Sequence, residues 1–442
     1  MIKRFHKGGV HPAENKLSCA AEIVNLPLPE TVYVSMSQHA GVPATPVVAK
    51  GDKVLAGQLI GQSAGFISSN IHAPVSGTVT VVDKLPDAGS FRRQTVVIAV
   101  EGDRWAPGID RSATLLTQIK LSAEEIIKKI ADAGVTGMGG ASFPTQVKLS
   151  VPPGKKAEML IINGAECEPY LTADHRLMLE QGEEMFVGIN ILARALGVEK
   201  VFIGIENNKP DAIAHLKKLG SGYRNMTIVP LHVQYPQGGE KQLIEAITGR
   251  EVPTGGLPVD VGIVVLNVAT AVATYEAVQK NKPLVERIVT VTGKTLARPS
   301  NLRVRIGTPV NALIAACGGM PKDAGKVIFG GPMMGRAISS TSAGITKGVS
   351  GVLIMCMRES LRLQASVCIR CSKCTGVCPM GLEPYMLYKL SVKRMFSKLK
   401  DWYITDCIEC GSCSYTCPAA LPLLDYIRVG KAEVIIISKN NG

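Results

Sequence analysis

Eight of the twelve cysteines in this 442-residue chain fall between Cys368 and Cys417, in two runs of identical spacing. The first is Cys368-Ile-Arg-Cys371-Ser-Lys-Cys374-Thr-Gly-Val-Cys378-Pro379, and the second is Cys407-Ile-Glu-Cys410-Gly-Ser-Cys413-Ser-Tyr-Thr-Cys417-Pro418. Three thiolates so close in sequence wrap one face of an iron–sulfur cubane, and the fourth, followed by proline, ligates the other cluster. The spacing therefore predicts two [4Fe–4S] clusters. Cys368, Cys371, Cys374 and Cys417 hold one, and Cys407, Cys410, Cys413 and Cys378 hold the other. Such cross-ligation keeps the cubanes close, so one-electron hopping between them is expected to be fast. A pair of zinc sites is the competing reading. Zinc favours two spaced Cys/His pairs and has no use for a third cysteine at the same short spacing plus Cys-Pro. The other four cysteines (Cys19, Cys167, Cys317, Cys356) are scattered and read as structural thiols rather than disulfide partners.

A second constellation is suited to a nucleotide. Gly137-Met-Gly139-Gly140-Ala-Ser-Phe143-Pro144-Thr145-Gln-Val-Lys148 comes close to the dinucleotide fingerprint, but Ser142 stands where the third glycine belongs. The loop also follows a helix instead of a strand, so it is not that motif. It is not a Walker A loop either, because the only Gly-Lys-Thr, at 293–295, has Ile288 in place of the leading glycine. Three further loops accompany it: Asn163-Gly-Ala-Glu166-Cys-Glu168-Pro169, Tyr235-Pro-Gln-Gly238-Gly239-Glu240 and Asn267-Val-Ala-Thr270. Each follows an apolar run that reads as a strand, and ligands of open α/β sheets gather at such ends. Together they offer backbone N–H groups for a phosphate, Lys148 for its charge, and Asn and Glu side chains for a flavin ring edge. Taken singly, each polar residue is as readily a loop cap or a turn.

The elements that must position these groups are legible in outline. Residues 1 to about 30 read as irregular, with a Gly8-Gly9-Val10-His11-Pro12 turn cluster. Short β runs between glycines follow, at Thr31, Lys53, Gly77 and Gln94. The stretch from Gly51 to Val79 resembles the biotinyl/lipoyl hammerhead, but Ser68-Ser-Asn-Ile-His72 carries no lysine at the hairpin tip. It is expected to be a scaffold, not a swinging arm. Ser122-Ala-Glu-Glu125 is a capping box that opens a helix ended by Gly134. Strands at Met159, Lys200, Met226 and Ile263 then alternate with helices over Asp174–Leu196, Asp211–Leu219 and Glu240–Thr248, which predicts a parallel sheet. Residues 286 to 350 return to β signals. The tail from about 357 reads as helical. It includes a helix over Tyr385–Lys400 with a basic face of Lys389, Lys393, Arg394, Lys398 and Lys400, either solvated or a dock for an acidic redox partner.

The net charge is +13, which speeds encounter with acidic proteins or anionic headgroups. No finger, RNP-type strand or dense basic tract points to nucleic acid. No apolar h-region follows the basic opening, and no run approaches the ~18 apolar residues of a membrane span. The chain is expected to be cytosolic, with any membrane contact peripheral.

The four loops, in this order, resemble the NADH- and FMN-binding flavoprotein subunit of respiratory complex I. That family carries Gly-Arg-Gly-Gly-Ala-Gly-Phe-Pro-Thr, Asn-Ala-Asp-Glu-x-Glu-Pro, Tyr-x-x-Gly-Glu-Glu and Asn-Val-Glu-Thr. The likeness covers roughly 115 to 350, including a ubiquitin-like segment at 289–320 of the soluble-ligand-binding β-grasp type. With the Gly-Gly-Val-His-Pro opening, the hammerhead, Gly330-Gly-Pro-Met-Met-Gly335 and both ferredoxin runs, nearly the whole chain resembles the C subunits of Rnf ion-translocating ferredoxin:NAD oxidoreductase complexes.

The resemblance implies an α/β multidomain architecture. Residues 1–110 form an N-terminal segment and hammerhead (barrel-sandwich hybrid) β domain, 115–285 a parallel-sheet FMN/NAD-binding domain, 286–350 a β-grasp domain, and 357–430 a helical two-cluster ferredoxin domain. It also implies roles. Gly137, Gly139, Gly140 and Lys148 hold the FMN phosphate region, while Asn163, Glu166 and Asn267 contact FMN with Thr270 nearby. Phe143 stacks on the nicotinamide, and Glu168, Tyr235, Gly238 and Glu240 line the nucleotide pocket. Ser142 and Gly239 depart from the family pattern. The implied cofactors are FMN and two [4Fe–4S] clusters, with NAD(H) as substrate. The implied partners are the membrane-embedded and iron–sulfur subunits of a complex on the cytoplasmic face of the bacterial inner membrane, with ferredoxin reached indirectly. A cobalamin reductase of the microcompartment type, or an electron-wire protein without flavin catalysis, would share these parts.

Overall fold

Four strands of nearly uninterrupted apolar residues form the sheet at the centre of the chain. In the computed structural model, which describes residues 2–440, they lie in the order Met226–Leu231, Lys200–Glu206, Met159–Asn163, Ile263–Asn267, all parallel. Strands of a parallel sheet are covered on both faces, which is why they show no polar alternation. Leu160 and Ile162 face one helical layer and Met159 and Ile161 the other. The first layer holds Gly182–Leu196 packed on Val268–Lys280. A Cβ on Gly188 would lie 1.9 Å from the carbonyl oxygen of Ala271, so only glycine permits this helix approach. The second layer is Glu240–Thr248 with Phe5 beneath it.

Three expectations need correction. The helix expected over Asp174–Leu196 is two helices, Ala173–Glu180 and Gly182–Leu196, broken at Gln181. The break lets the first pack on Pro210–Leu219 and the strand Glu286–Thr292 while the second follows Val268–Lys280. The opening is not wholly irregular, because Ile23–Asn25 adds a parallel edge strand to Ser300–Arg305. Tyr385–Lys400 is also broken, into Pro384–Val392 and Phe396–Leu399, with Arg394 at φ +53° between them. This turn buries Leu399 completely, and a Cβ on Gly430 would lie 2.8 Å from it. The five basic residues of this stretch are exposed.

The N-terminal β domain has a four-stranded sheet (Thr31–Ser35, Arg92–Gly102, Ser76–Pro86, Lys53–Val54) and a three-stranded one (Thr45–Pro46, Leu59–Gln62, Ile71–His72) around one core. A six-stranded mixed sheet follows the parallel domain. It joins Glu286–Thr292 and Ser300–Arg305 with Ala324–Phe329, Arg336–Ala337 and Gly351–Cys356, backed by the helix Val310–Ala316. It therefore reaches past residue 350 and back to Ile23. Short helices and Leu423–Asn440 complete the chain. Among the described residues, no helix is long and apolar enough to cross a membrane.

Lys347 joins three of these units. Its side chain is 1% exposed, and its Nζ donates to the carbonyl oxygens of Asn70 (2.7 Å) and Gly134 (2.6 Å). Burial pushes its pKa down to about 7 from an ordinary 10.5. Between those values the unfolded lysine keeps a proton that the folded one has lost, so this group makes stability rise with pH. Lys347→Met is expected to abolish that rise, read as the slope of Tm between pH 7 and 10. An unchanged slope would refute the assignment.

Candidate functional site

Asn163 and Asn267 are register partners at the C-terminal ends of neighbouring strands. Asn163 donates from Nδ2 to the carbonyl oxygen of Gly238 (2.8 Å) and accepts from the Ala165 N–H (3.1 Å). Asn267 caps the following helix through the Ala269 N–H (2.8 Å) and donates to Asp174 Oδ2 (2.7 Å). The glycine loop lies against this edge. It is closed by Gly137 N–H to Phe143 O (2.8 Å) and pinned where the Met138 N–H donates to Thr270 Oγ1 (3.0 Å). A Cβ on Gly139 would sit 2.7 Å from Asn267 Nδ2, whereas Gly140 faces open space. Among the described residues, the N–H groups of Gly139, Gly140 and Ala141 find no acceptor. Successive free amides in a tight loop are a receptor for an anionic group such as a phosphate. Lys148 Nζ pairs with Glu240 Oε1 (2.6 Å) and reaches Val265 O (3.0 Å). Phe143 is half-buried.

The two glutamates of the Asn163 loop point in different directions. Glu166, at φ +49°, turns its carboxylate onto the first turn of Ala173–Glu180, accepting from the N–H groups of Asp174 (2.7 Å) and His175 (3.2 Å). Both oxygens are engaged there, so its effect on a ligand passes through the helix it caps. Glu168 accepts from the N–H groups of Met333 (3.2 Å) and Met334 (2.7 Å), within the Gly330–Gly335 turn. Burial raises its pKa, against the pull of those N–H groups. Tyr235 Oη lies 3.4 Å from Glu168 Oε1 and donates to the carbonyl oxygen of Cys410 (2.8 Å). The nucleotide-type loops thus touch the second cysteine run directly.

Three supporting residues escaped the sequence reading. Lys16 donates to the carbonyl oxygens of Glu166, Glu168 and Leu171 (2.7, 2.9 and 2.7 Å), locking the loop from below. Buried Arg287 donates to the carbonyl oxygens of Met138 and Val349. Asp174 is half-buried, and its pKa is raised to about 7 by desolvation and by the neighbouring Glu166 charge. Only Arg287 left a trace, as an arginine that, next to Glu286, enters an otherwise mostly apolar strand run.

Cys378, Cys407, Cys410 and Cys413 line one largely apolar cavity with Pro379, Leu382, Leu387 and Ile427. Burial pushes the Cys407 thiol up to about 11 and the Cys413 thiol in the same direction. In the other quartet, Cys374 and Cys417 lie on packed elements at the edge of the same helical core, whereas Cys368 and Cys371 are exposed in the irregular stretch 361–372. Among the described residues, no three His, Cys, Asp or Glu side chains converge as a single-ion site requires. Each thiolate of a cubane binds a different iron, so its sulfurs need not converge. Four thiols around one apolar cavity, drawn from both runs, fit that group.

Comparison with known proteins agrees with this layout. Residues 3–103 match the RnfC barrel sandwich hybrid domain, 130–276 the Nuo51 FMN-binding domain, 288–337 the SLBB domain and 360–418 a 4Fe-4S dicluster domain. The combination is that of a flavin- and iron–sulfur-type electron-transfer protein. The C subunit of the proton-translocating ferredoxin:NAD(+) oxidoreductase complex of Clostridium ljungdahlii is 46% identical over 98% of this chain and 94% of its own length. Its counterpart in the Na(+)-translocating complex of Acetobacterium woodii is 46% identical over 97% of each. The C subunit of an ion-translocating oxidoreductase complex of Pseudomonas aeruginosa is 41% identical over 98% of this chain and 56% of its own. The chain belongs to the family of C subunits of ion-translocating ferredoxin:NAD(+) oxidoreductase complexes.

Proposed function

We propose that this chain is the peripheral component through which an ion-translocating complex exchanges electrons with NAD(H). The observation that carries this is the meeting, at one end of the parallel sheet, of a free-amide glycine loop, two in-register asparagines and a tyrosine hydrogen-bonded to a cluster-type cysteine. FMN, when bound, converts a two-electron hydride exchange into single electrons, which [4Fe–4S] clusters can carry.

The chain's own residues do the rest. The N–H groups of Gly139 and Gly140, with Gly137 closing the loop, receive the phosphate end of the flavin. Lys148 sets the local positive charge while paired with Glu240. Asn163, Asn267 and Thr270 fix the ring edge, and Glu166 acts by anchoring the helix that carries Asp174. Phe143 offers the face for the nicotinamide. Glu168, Tyr235, Gly238 and Glu240 shape the nucleotide side. Cys407, Cys410, Cys413 and Cys378 hold one cluster, and Cys368, Cys371, Cys374 and Cys417 the other. The ion path belongs to membrane-embedded partner subunits, and the chain sits on the cytoplasmic face of the membrane. Residues 1–110, 115–285, 286–350 and 357–430 serve as scaffold, FMN/NAD, β-grasp and cluster units.

Anaerobic purification with iron, sulfide and flavin analysis tests the cofactor set. Loading with FMN followed by NADH tests the hydride role: bleaching of the flavin absorbance is expected, and its absence would sink the reading.

A further inference from the structure

We propose that the tip of the N-terminal β domain, Phe66 with Val42 and Ile67 beside it, is the platform on which the purine base of the nicotinamide dinucleotide stacks. This rests on the function proposed above and names the residues that grip the end of the substrate remote from the flavin.

The tip carries no lysine to modify. It is docked on the glycine loop instead. The Ala40 N–H donates to Ser142 O (3.2 Å), Gln146 Nε2 donates to Ser68 O (2.9 Å), and Asn70 Nδ2 donates to Asp132 O (3.3 Å). Ser68 and Ser69 are buried, but residues 64–67 are all exposed. Phe66, at 74%, is the most exposed phenylalanine among the described residues. The backbone beneath it is nonetheless well tied. The Val42 N–H donates to Ile67 O (2.9 Å), Ser68 Oγ donates to Val42 O (2.9 Å) and accepts from the Ala64 N–H (3.0 Å), and the Ser69 N–H donates to His39 Nε2 (3.3 Å). Gly41 stands at φ +93°, and a Cβ there would lie 2.0 Å from Ile67 O, so only glycine lets the two sides of the tip close. Apolar surface held out in water on a braced loop marks a contact site. An aromatic ring so presented suits a nucleobase, because every base has a face that stacks on it.

Position selects the occupant. The free amides of Gly139, Gly140 and Ala141 directly precede Ser142, the residue that the tip holds. The nicotinamide meets the flavin at the strand ends. The purine is two phosphates and two riboses further along, so it must lie on a rim of the crevice. One rim is closed by the cysteine-bearing unit: Tyr235 bonds to Cys410 O (2.8 Å), and the Gly255 N–H donates to Asp406 Oδ1 (3.3 Å). The rim beside the glycine loop is open and carries Phe66. Burying the ring under a purine, with Val42 and Ile67 extending the apolar surface, takes all three out of water.

The test uses FMN-loaded full-length protein and compares NADH with NMNH, its nicotinamide half without the adenosine. The ratio of kcat/KM for NADH to that for NMNH is expected to fall about tenfold or more in Phe66→Ala, the usual worth of one base–aromatic stack. Phe66→Trp is expected to keep the ratio near wild type, and its added fluorescence to be quenched by ADP-ribose. An unchanged ratio in Phe66→Ala, or ADP-ribose that binds without quenching Phe66→Trp, overturns the assignment and leaves the tip to a partner protein. Wild-type flavin that NADH cannot reduce, in protein whose Phe66→Trp variant is quenched by ADP-ribose, would count against the hydride role and not against the base site. A wild type that binds no ADP-ribose and is not reduced by NADH would overturn both.

Discussion

Stripping the iron from anaerobically prepared protein is expected to unfold the helical segment beyond about residue 357 while the parallel-sheet domain stays folded. The helical core is small: Leu382, Leu387, Leu390, Leu399, Ile404, Leu423, Ile427 and Val434 are its main apolar members, with Cys374, Cys378, Cys407 and Cys417 packed at its edge. A core in a unit of ~70–80 residues or fewer rarely supplies more than about 3–5 kcal/mol. Structural metal sites, by contrast, contribute about 10–16 kcal/mol in zinc-finger peptides. Without iron, the cavity between Cys378 and Cys413 is left as apolar space lined by protonated thiols. The parallel-sheet domain has its own larger core around Leu160, Ile162, Ile189 and Ile203, with no share in the cysteines. Two separated thermal transitions and new protease cuts confined to residues past 357 are the expected readouts. A single unshifted melt after complete iron removal would refute this.

Arg287→Met is expected to cost about 3–5 kcal/mol of stability, the usual penalty for breaking a buried charge arrangement, and to weaken FMN binding. Arg287 is 2% exposed, and burial lowers its pKa to about 10 while the Asp174 charge opposes the shift. Its guanidinium satisfies carbonyls on the glycine loop (Met138) and on the β-grasp side (Val349). Removing it orphans both and leaves Asp174 facing Glu166 with less positive charge nearby. The deficit has a definite pH dependence. A carboxyl whose folded pKa is raised loses stability as pH climbs from its unfolded value toward the folded one. Asp174 already stands near 7, and losing Arg287 raises it further. The gap between variant and wild type should therefore be wider at pH 8 than at pH 5.5 in urea melts. Arg287→Lys should recover part of it, since a cation is restored without the fork. A gap independent of pH would mean that Arg287 and Asp174 are not coupled.

How far the sequence could be read follows from how local each signal is. The capping box at Ser122–Glu125 closes within four residues, and the structure shows both of its hydrogen bonds. The parallel strands were legible because burial on both faces leaves long apolar runs. The helix breaks were not, because Gly182 after Gln181 is only a weak breaker by itself and Arg394 is none, so each bend is set by what the two halves pack against. The edge strand Ile23–Asn25 pairs with residues nearly 300 positions away, and nothing in its own residues announces that partner.

The candidate site divides along the same line. Sequence alone picked out the two cysteine runs, the glycine loop and the polar strand ends as candidates, because cluster ligation and anion-binding loops demand particular residue types at fixed short spacing. Only the tertiary structure decided that Glu166 caps a helix, that Lys148 is paired with Glu240, that Lys16, Arg287 and Asp174 brace the loops, and that Tyr235 bonds to Cys410. Those contacts join residues distant in the chain through a single hydrogen bond or charge. A lysine, arginine or tyrosine chosen for such a contact looks in sequence like any other until the packing of the domains brings its partner within reach.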